Sequence, residues 1–372
     1  MAAPTHEMPL DDAAFAWLAL ALVPELLPRR VFALVERFGT PRAVLEAPAG
    51  ALAACGVPPA VVASLGAAAG RARAETRKLA RAAATLVAWS DETYPPALRQ
   101  IAQPPLVLAV RGSLGGPGEP AIAIVGARRA SDYGRRMAAE LARGFAQAGV
   151  TVVSGLAAGV DAAAHHAALA AGGRTVAVLG TGIDLVYPKW HRELARAIAG
   201  QGALVSEFPC GSPPLQFHFP RRNRIISGLT RGTIVVEAAD DSGSLITAGH
   251  ALEQDRQVFA VPGPVGVTAH SGTNRLIQQG ARLVVSARDV VEELWPELLP
   301  RLAAERAAAA EAALTVPERQ LLAAIGPESR HVDDLIRRAA VPPGAALETL
   351  LALELRGLVC QLPGKRFCRR AA

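Results

Sequence analysis

Cysteine, lysine and aromatic residues are scarce in this chain, and each scarcity excludes something. The four cysteines, Cys55, Cys210, Cys360 and Cys368, form no CxxC pair, so their spacing supplies neither a zinc framework nor a disulfide framework. Reduced thiols in a cytoplasmic protein are the expectation. Aromatics make up only 4% of the residues, too few for a base-stacking surface along the whole chain. Long apolar runs are missing too: the stretch around Phe15–Val23 is short and runs into Pro24, so no membrane span is expected. The opening MAAPTHEMPLDD has neither the basic nor the apolar region of a secretory leader.

What is present points to a folded, multidomain chain. Its 372 residues are 51% hydrophobic and 19% charged, against about 25% charged in an average globular chain, which excludes wholesale disorder. Net charge is +6, compatible with a nucleic-acid partner. No segment is a basic tail, so any such site must be a focused cluster.

Three segments differ in pattern. Residues 1–82 read as short helices, with Phe15, Leu18 and Leu22, then Val31, Leu34, Val35 and Phe38, at helical spacing. Gly39 with Pro41, and Gly56 through Pro59, separate them. This is a small helical (SAM or helix-hairpin-helix-like) domain. Residues 83–296 contain strand-length apolar runs, among them Ala121–Val125, Val150–Val153, Thr175–Leu179, Thr233–Val236 and Val258–Val261, alternating with helix-length segments. That alternation predicts a doubly wound, mostly parallel sheet, an α/β core of Rossmann-like type. Residues 297–313 include the Ala-rich stretch Arg301–Ala313 and read as a linker. In residues 314–372, a helix at His331–Ala340, a Pro-Pro-Gly turn, a helix at Ala345–Arg356 and strands at Gly357–Leu362 and Lys365–Arg369 follow the order of a winged helix.

The strand-end loops carry the candidate chemistry. Gly126-Ala127-Arg128-Arg129-Ala130-Ser131 joins the first parallel strand to a helix; such a loop presents free backbone N–H groups and a helix dipole to an anion. Gly126 permits close approach, and Arg128 and Ser131 add a charge and a hydroxyl. The loop does not match GxGxxG, and no P-loop occurs, so no nucleotide cofactor is expected. Lys189 is one of only three lysines, at the carboxyl edge where ligands bind in such sheets. Further on, Arg221, Arg222 and Arg224 open a helix, with binding of a polyanion and anchoring of Glu207 or Glu237 both open to them. Ser242-Gly243-Ser244 opens another helix after a strand. Asp161 reads as a helix cap, and His165 and His166 point to different helix faces, a poor metal pair. No nucleophile–base pair and no metal set stands out, so no catalytic residue is assigned.

In order and spacing these fragments resemble the DNA-processing protein A (DprA/Smf) family. The resemblance rests on Ile124–Arg128 with Tyr133-Gly134, Ser154-Gly155 with Gly159–Asp161 and His165, and Gly180-Thr181-Gly182 with Tyr187-Pro188. It continues through Phe219–Ile226, Ser242–Ala248 and Gly272–Ile277. It implies a Rossmann-like core that binds single-stranded DNA, dimerises, and helps load RecA recombinase during natural transformation, without a cofactor and away from membranes. It places a phosphate pocket at Gly126, Arg128, Lys189, Arg222 and Arg224, to which the loop chemistry adds Ser131 and Ser244. Ala127 stands where many relatives have Ser. Trp190 is open to two readings, stacking on a base or burial. Two alternatives remain at this level. One is a nucleotide-acting enzyme similar to the cytokinin-activating phosphoribohydrolases (LOG family), weakened because Ser242–Thr247 lacks an acid immediately after it. The other is a regulator that reads duplex DNA through the winged unit.

Overall fold

In the computed structural model, residues 11–116, 118–312, 314–325, 328–339, 341–356 and 358–369 are described, without the side chains of 306–312. The leader expectation at residues 1–10, the linker end at Ala313, the helix end at Ala340 and the strand start at Gly357 lie outside them. Internal contacts divide the chain into two compact units, Met1–Trp295 and Pro296–Ala372.

The first unit opens with six helices, Asp12–Ala21, Pro28–Phe38, Pro41–Glu46, Ala49–Ala54, Pro59–Leu65 and Ala68–Arg81. Three begin at proline, where the missing N–H is one the first helical turn leaves unbonded anyway. The sheet follows: β1 (Thr85–Ala88), β2 (Val107–Gly112), β3 (Ala121–Val125), β4 (Thr151–Ser154), β5 (Thr175–Val178), β6 (Ala203–Ser206), β7 (Gly232–Val235), β8 (Gln257–Ala260) and β9 (Arg282–Leu283). Their spatial order is β1-β2-β6-β5-β4-β3-β7-β8-β9. From β6 to β9 every pairing is parallel, and β1 and β2 add an antiparallel edge. The chain winds outward from β3 in one direction and resumes at β7 in the other, so a crevice opens at the carboxyl ends of β3 and β7.

Alternation along the strands explains how both faces are covered. Leu86, Ala88, Val107, Ala109, Ala177 and Leu204 join one hydrophobic cluster with Trp17, Leu20, Val31 and other residues of the N-terminal helices. Their neighbours Val87, Leu108, Val110, Val176, Val178 and Val205 join another, with Ile225, Ile226, Ala248 and Ala251 of later helices. A period of two residues sends successive side chains to opposite faces, and here each face has its own helical cover.

In the second unit an Ala-rich helix, Leu299–Ala312, precedes helices Val316–Ala324, Val332–Ala339 and Pro343–Leu355 and strands β10 (Arg330–His331), β11 (Val359–Leu362) and β12 (Arg366–Arg369). The strands pair in the order β10-β12-β11. Helix Val316–Ala324 and β10 complete the winged-helix order beyond the elements expected from the sequence. A capping box between Thr315 and Glu318 starts that helix. Leu321, Leu335, Leu350, Leu353 and Phe367 form this unit's core.

His165, on helix Val160–Ala170, is fully buried and its Nδ1 lies 2.7 Å from the Thr175 hydroxyl on β5. Burial, aided by nearby positive charge, lowers its pKa to about 3. The unfolded chain therefore binds a proton between the ordinary histidine pKa near 6.5 and 3 that the folded chain refuses. Stability falls as pH drops through this window, by up to about 1.4 kcal/mol per pH unit. Buried Asp161, raised by its own desolvation, acts in the opposite sense, so the comparison must be made within a variant pair. His165→Gln is expected to flatten the fall in urea midpoint between pH 6.5 and 4 relative to the unaltered chain; parallel curves would exclude His165 as the titrating group.

Candidate nucleic-acid interface

The site is assembled where two strand-end loops cross. The Ala127 N–H donates to the Glu237 carbonyl at 2.8 Å, and the Val160 N–H to the Ala127 carbonyl at 3.2 Å. Gly159 sits at φ +79°, and a Cβ there would run into the Ala127 carbonyl oxygen. At Gly126 a Cβ would lie 2.6 Å from Val160 Cγ2. Glycine is needed at Gly159 because the loops touch backbone to backbone there, and at Gly126 because the Val160 side chain fills the space a Cβ would take. Ser131 caps the helix Asp132–Ala148: its Oγ accepts the Gly134 N–H at 3.0 Å and donates to the Glu237 carboxylate. The other Glu237 oxygen accepts the Ser131 N–H at 2.9 Å. Glu237 thereby holds this loop at three points, two through its carboxylate and one through its carbonyl.

Beside this crossing a cavity of about 530 Å³ opens in the crevice at β3 and β7. Gly126, Arg128, Asp161, Phe219, Arg222 and Ser244 are among its lining residues. Arg222 is buried in its floor. It donates to the Gly155 carbonyl at 2.7 Å and to the Val178 carbonyl, joining the end of β4 to the end of β5. Asp161 accepts from the Gly155 N–H at 3.0 Å and the Ala157 N–H at 3.3 Å. It therefore braces the β4 loop from the first turn of helix Val160–Ala170, the place of a dipole partner rather than of a cap. Burial raises the Asp161 carboxyl, and the charge of Arg222 opposes that rise. Burial lowers Arg222 to about 10, with Asp161 resisting, so the guanidinium stays charged at neutral pH.

The mouth has a different character. Arg128 is exposed, its guanidinium carbon 5.0 Å from the centroid of the Phe219 ring, and it makes no ion pair among the described residues. Such stacking on an aromatic face leaves the edge donors of the guanidinium available. Opposite the strand ends, helix Gly243–Glu253 starts at Ser242, whose Oγ lies 2.8 Å from the Ser244 Oγ. Ser242, Gly243 and Ser244 all line the cavity, which points an N-terminal helix dipole at it.

Of the residues singled out from the sequence, Gly126, Arg128, Arg222 and Ser244 line this cavity together. Ser131 is turned to Glu237. Arg224 is buried against Glu207 at 2.6 Å, and Arg221 reaches the same carboxylate at 3.3 Å, so the carboxylate-anchoring reading holds for these two arginines. Lys189 and Trp190 lie outside the cavity lining, on a short 3-10 turn Lys189–His191. His191 Nδ1 lies 3.0 Å from the Leu156 carbonyl and ties that turn to the β4 loop. Trp190 is 76% exposed, which removes the burial reading. Tyr187 and Phe219, with ring centroids 5.8 Å apart, line the mouth as well. Both were visible as aromatic residues within the matched fragments, but nothing local marked them as facing a cavity. No cluster of three or more potential metal ligands occurs among the described residues, and no described helix is long and apolar enough to cross a membrane.

Comparison with known proteins agrees with this architecture. The family model described as DNA recombination-mediator protein A matches residues 85–295, and the DprA winged helix domain matches residues 305–365. The chain is 44% identical over 285 residues to Protein Smf of Escherichia coli (strain K12), covering 75% of this chain and 76% of that protein. It is 45% identical over 203 residues to DNA processing protein DprA of Streptococcus pneumoniae (strain ATCC BAA-255 / R6), covering 55% of this chain and 72% of that one. The X-ray structure of DprA from Streptococcus pneumoniae superposes with a TM-score of 0.67 at 35% identity, over 77% of this chain and 99% of that one. A structure of DprA from Helicobacter pylori, described for its single-stranded DNA binding mode, superposes with a TM-score of 0.51 at 26% identity, over 58% and 98% of the two chains. A core match over more than half of the chain, a relative 44% identical across three quarters of it, and a shared fold place this protein in the DNA recombination-mediator protein A (DprA/Smf) family.

Proposed function

We propose that this protein binds single-stranded DNA across the cavity mouth at the carboxyl edge of its sheet. Acting in the cytoplasm as a homodimer, it would deliver a RecA-class recombinase to that strand. The observation that carries the binding reading is Arg128: an exposed guanidinium without an ion-pair partner among the described residues, stacked on Phe219 at the entrance of the cavity. The single-stranded DNA binding mode described for the Helicobacter pylori relative supports the ligand class. The recombination-mediator description of the matching family supports the delivery step.

Each proposed contact has a physical reason. Arg128 and exposed Lys189 neutralise phosphates. The start of helix Gly243–Glu253, with Ser244, offers donors to another. Gly126 lets the DNA backbone approach closely. Arg222 supplies positive charge from the floor and keeps the loops in place. Arg224 and Ser131 act at one remove, through Glu207 and Glu237. Trp190 presents a free indole face to an unpaired base, an interaction that every base can make. A duplex keeps its base faces stacked on one another, so these aromatics favour the open strand. Phosphate contacts position and base contacts specify, so sequence preference is low.

The winged unit contributes little to the alternative of duplex reading. Leu347, Leu351 and Leu355 are exposed at four-residue spacing along helix Pro343–Leu355, an apolar stripe unsuited to a phosphate backbone. Membership of the family leaves the nucleotide-enzyme alternative without a supporting observation.

Two sets of variants separate ligand contacts from supports. Arg128→Ala and Lys189→Ala should weaken binding of labelled oligothymidine in anisotropy titrations, each flattening the log–log salt slope by about 0.7, with unchanged thermal stability. Unchanged affinity and slope in both would sink the assignment. Arg224→Ala should instead destabilise the unit in urea unfolding, by less than the roughly 3–5 kcal/mol of a fully stranded buried charge, because the Glu207 carboxylate loses its buried partner and keeps only the exposed Arg221. Trp190→Ala should cost about 1–3 kcal/mol of binding and abolish most of the tryptophan quenching by oligothymidine, since Trp17 and Trp295 are buried and half-buried Trp89 is packed on Trp17 and Phe32. Full quenching in that variant would remove Trp190 from the site.

A further inference from the structure

In the second unit, two of the four cysteines face each other in the wing. Cys360 on β11 is paired with Cys368 on β12, between the pairs Val359–Arg369 and Gln361–Phe367. Their sulfurs are 2.9 Å apart, and both residues are half-buried, within reach of small solutes. The remaining thiols are placed differently. Cys210 is buried, and Cys55 lies in the N-terminal helical segment; neither faces another thiol among the described residues. Directly opposed residues of an antiparallel pair have Cα atoms about 4.5–5.5 Å apart, inside the range that a disulfide spans. The wing can therefore close a bond between these sulfurs with only a small inward shift of its two strands.

We propose that Cys360 and Cys368 form a reversible two-electron oxidation site whose oxidant is a hydroperoxide. One thiolate attacks a peroxide oxygen, the O–O bond breaks, and a sulfenic acid forms with release of water. The second thiolate attacks that sulfur and expels hydroxide, which takes up the remaining thiol proton. The sum is two thiols and one hydrogen peroxide giving one disulfide and two waters. A dithiol reductant reverses it by exchange through a mixed disulfide. Opposed strand residues hold their Cβ atoms about 4.5–5.5 Å apart, wider than the ~3.8 Å typical of a relaxed disulfide. Strained bonds of that kind are the reducible, regulatory ones. Closure rings the turn at Pro363, Gly364 and Lys365, where Gly364 and Lys365 already occupy positive φ. Oxidation thus pins the basic tip formed by Lys365 and Arg366 in one register, and reduction frees it to fray.

The test uses the full chain, pulsed with hydrogen peroxide and alkylated in denaturant. The alkylatable thiols should fall from four to two, a peptide cross-linked through Cys360 and Cys368 should appear in a non-reducing map, and dithiothreitol should restore all four. Cys360→Ser and Cys368→Ser, checked for folding by circular dichroism, should each abolish the cross-link. Amide exchange across residues 359–369 should slow on oxidation in the unaltered chain alone. Retention of all four thiols, sulfinic acids in place of the cross-link, cross-links between chains, or a cross-link that leaves exchange in the wing unchanged would each overturn the proposal.

Discussion

A single buried guanidinium holds the carboxyl edge of the sheet together. Arg222 donates to the carbonyl of Gly155 after β4 and to that of Val178 at the end of β5, joining two neighbouring strand ends from one helix. Strand-end carbonyls buried under a loop must find donors, and a fork of N–H groups meets two of them from one side chain. The arrangement depends on charge balance, because an isolated buried cation is costly. Asp161 supplies the compensation while binding the N–H groups of Gly155 and Ala157. Both sides of the Gly155 peptide region are therefore held, its carbonyl by Arg222 and its N–H by Asp161, two opposite charges that act on each other at the floor of the cavity.

Around that pair the edge is made rigid by absence of side chains. Gly126 and Gly159 let two loops cross at backbone distance, and at Gly155 a Cβ would collide with the Arg222 guanidinium at 2.6 Å. Glu237 then clamps the outer loop through Ser131. Donors used in this internal framework are lost to a ligand. The N–H groups of Ala127 and Ser131, which a strand-to-helix loop would ordinarily turn toward a phosphate, are spent on Glu237. In the proposed binding mode the anion contacts therefore fall to Arg128 at the mouth, to Lys189 on its own turn and to the helix start at Ser242–Ser244. Rigidity below and free charge above suit a ligand that is a flexible polyanion, since less ordering is left for the complex to impose.

The same division of labour runs through the helices that cover the sheet. On helix His218–Gly228, three arginines within four positions meet three fates: Arg221 is exposed, partly over Phe208, Arg222 enters the floor, and Arg224 is buried on Glu207. Each residue of an α-helix is turned about 100° from the last, so neighbours in sequence face different surroundings. Ile225 and Ile226, one turn on from Arg221 and Arg222, anchor the same helix in the core.

Much of the fold was legible in the sequence, because apolar runs and their breaks are local properties. The parallel strands from Ala121 onward fall within a residue or two of their observed bounds, and Gly39, Pro41 and Pro59 mark helix ends as expected. Two strands at the antiparallel edge and helix Val316–Ala324 were less visible, the latter signalled only by its Thr315–Glu318 capping box. Residue chemistry was also legible: which side chains could meet a phosphate, and that no nucleotide fingerprint or zinc spacing occurs. What the linear order could not decide is which of those side chains remain free. Arg128 and Arg224 are the same residue type in equally basic surroundings, yet one meets solvent and Phe219 while the other meets Glu207, 17 residues away. The opposition of Cys360 and Cys368 likewise exists only through the register of a hairpin. Burial and pairing are set by neighbours distant in sequence, and the closing of the sheet brought those neighbours together.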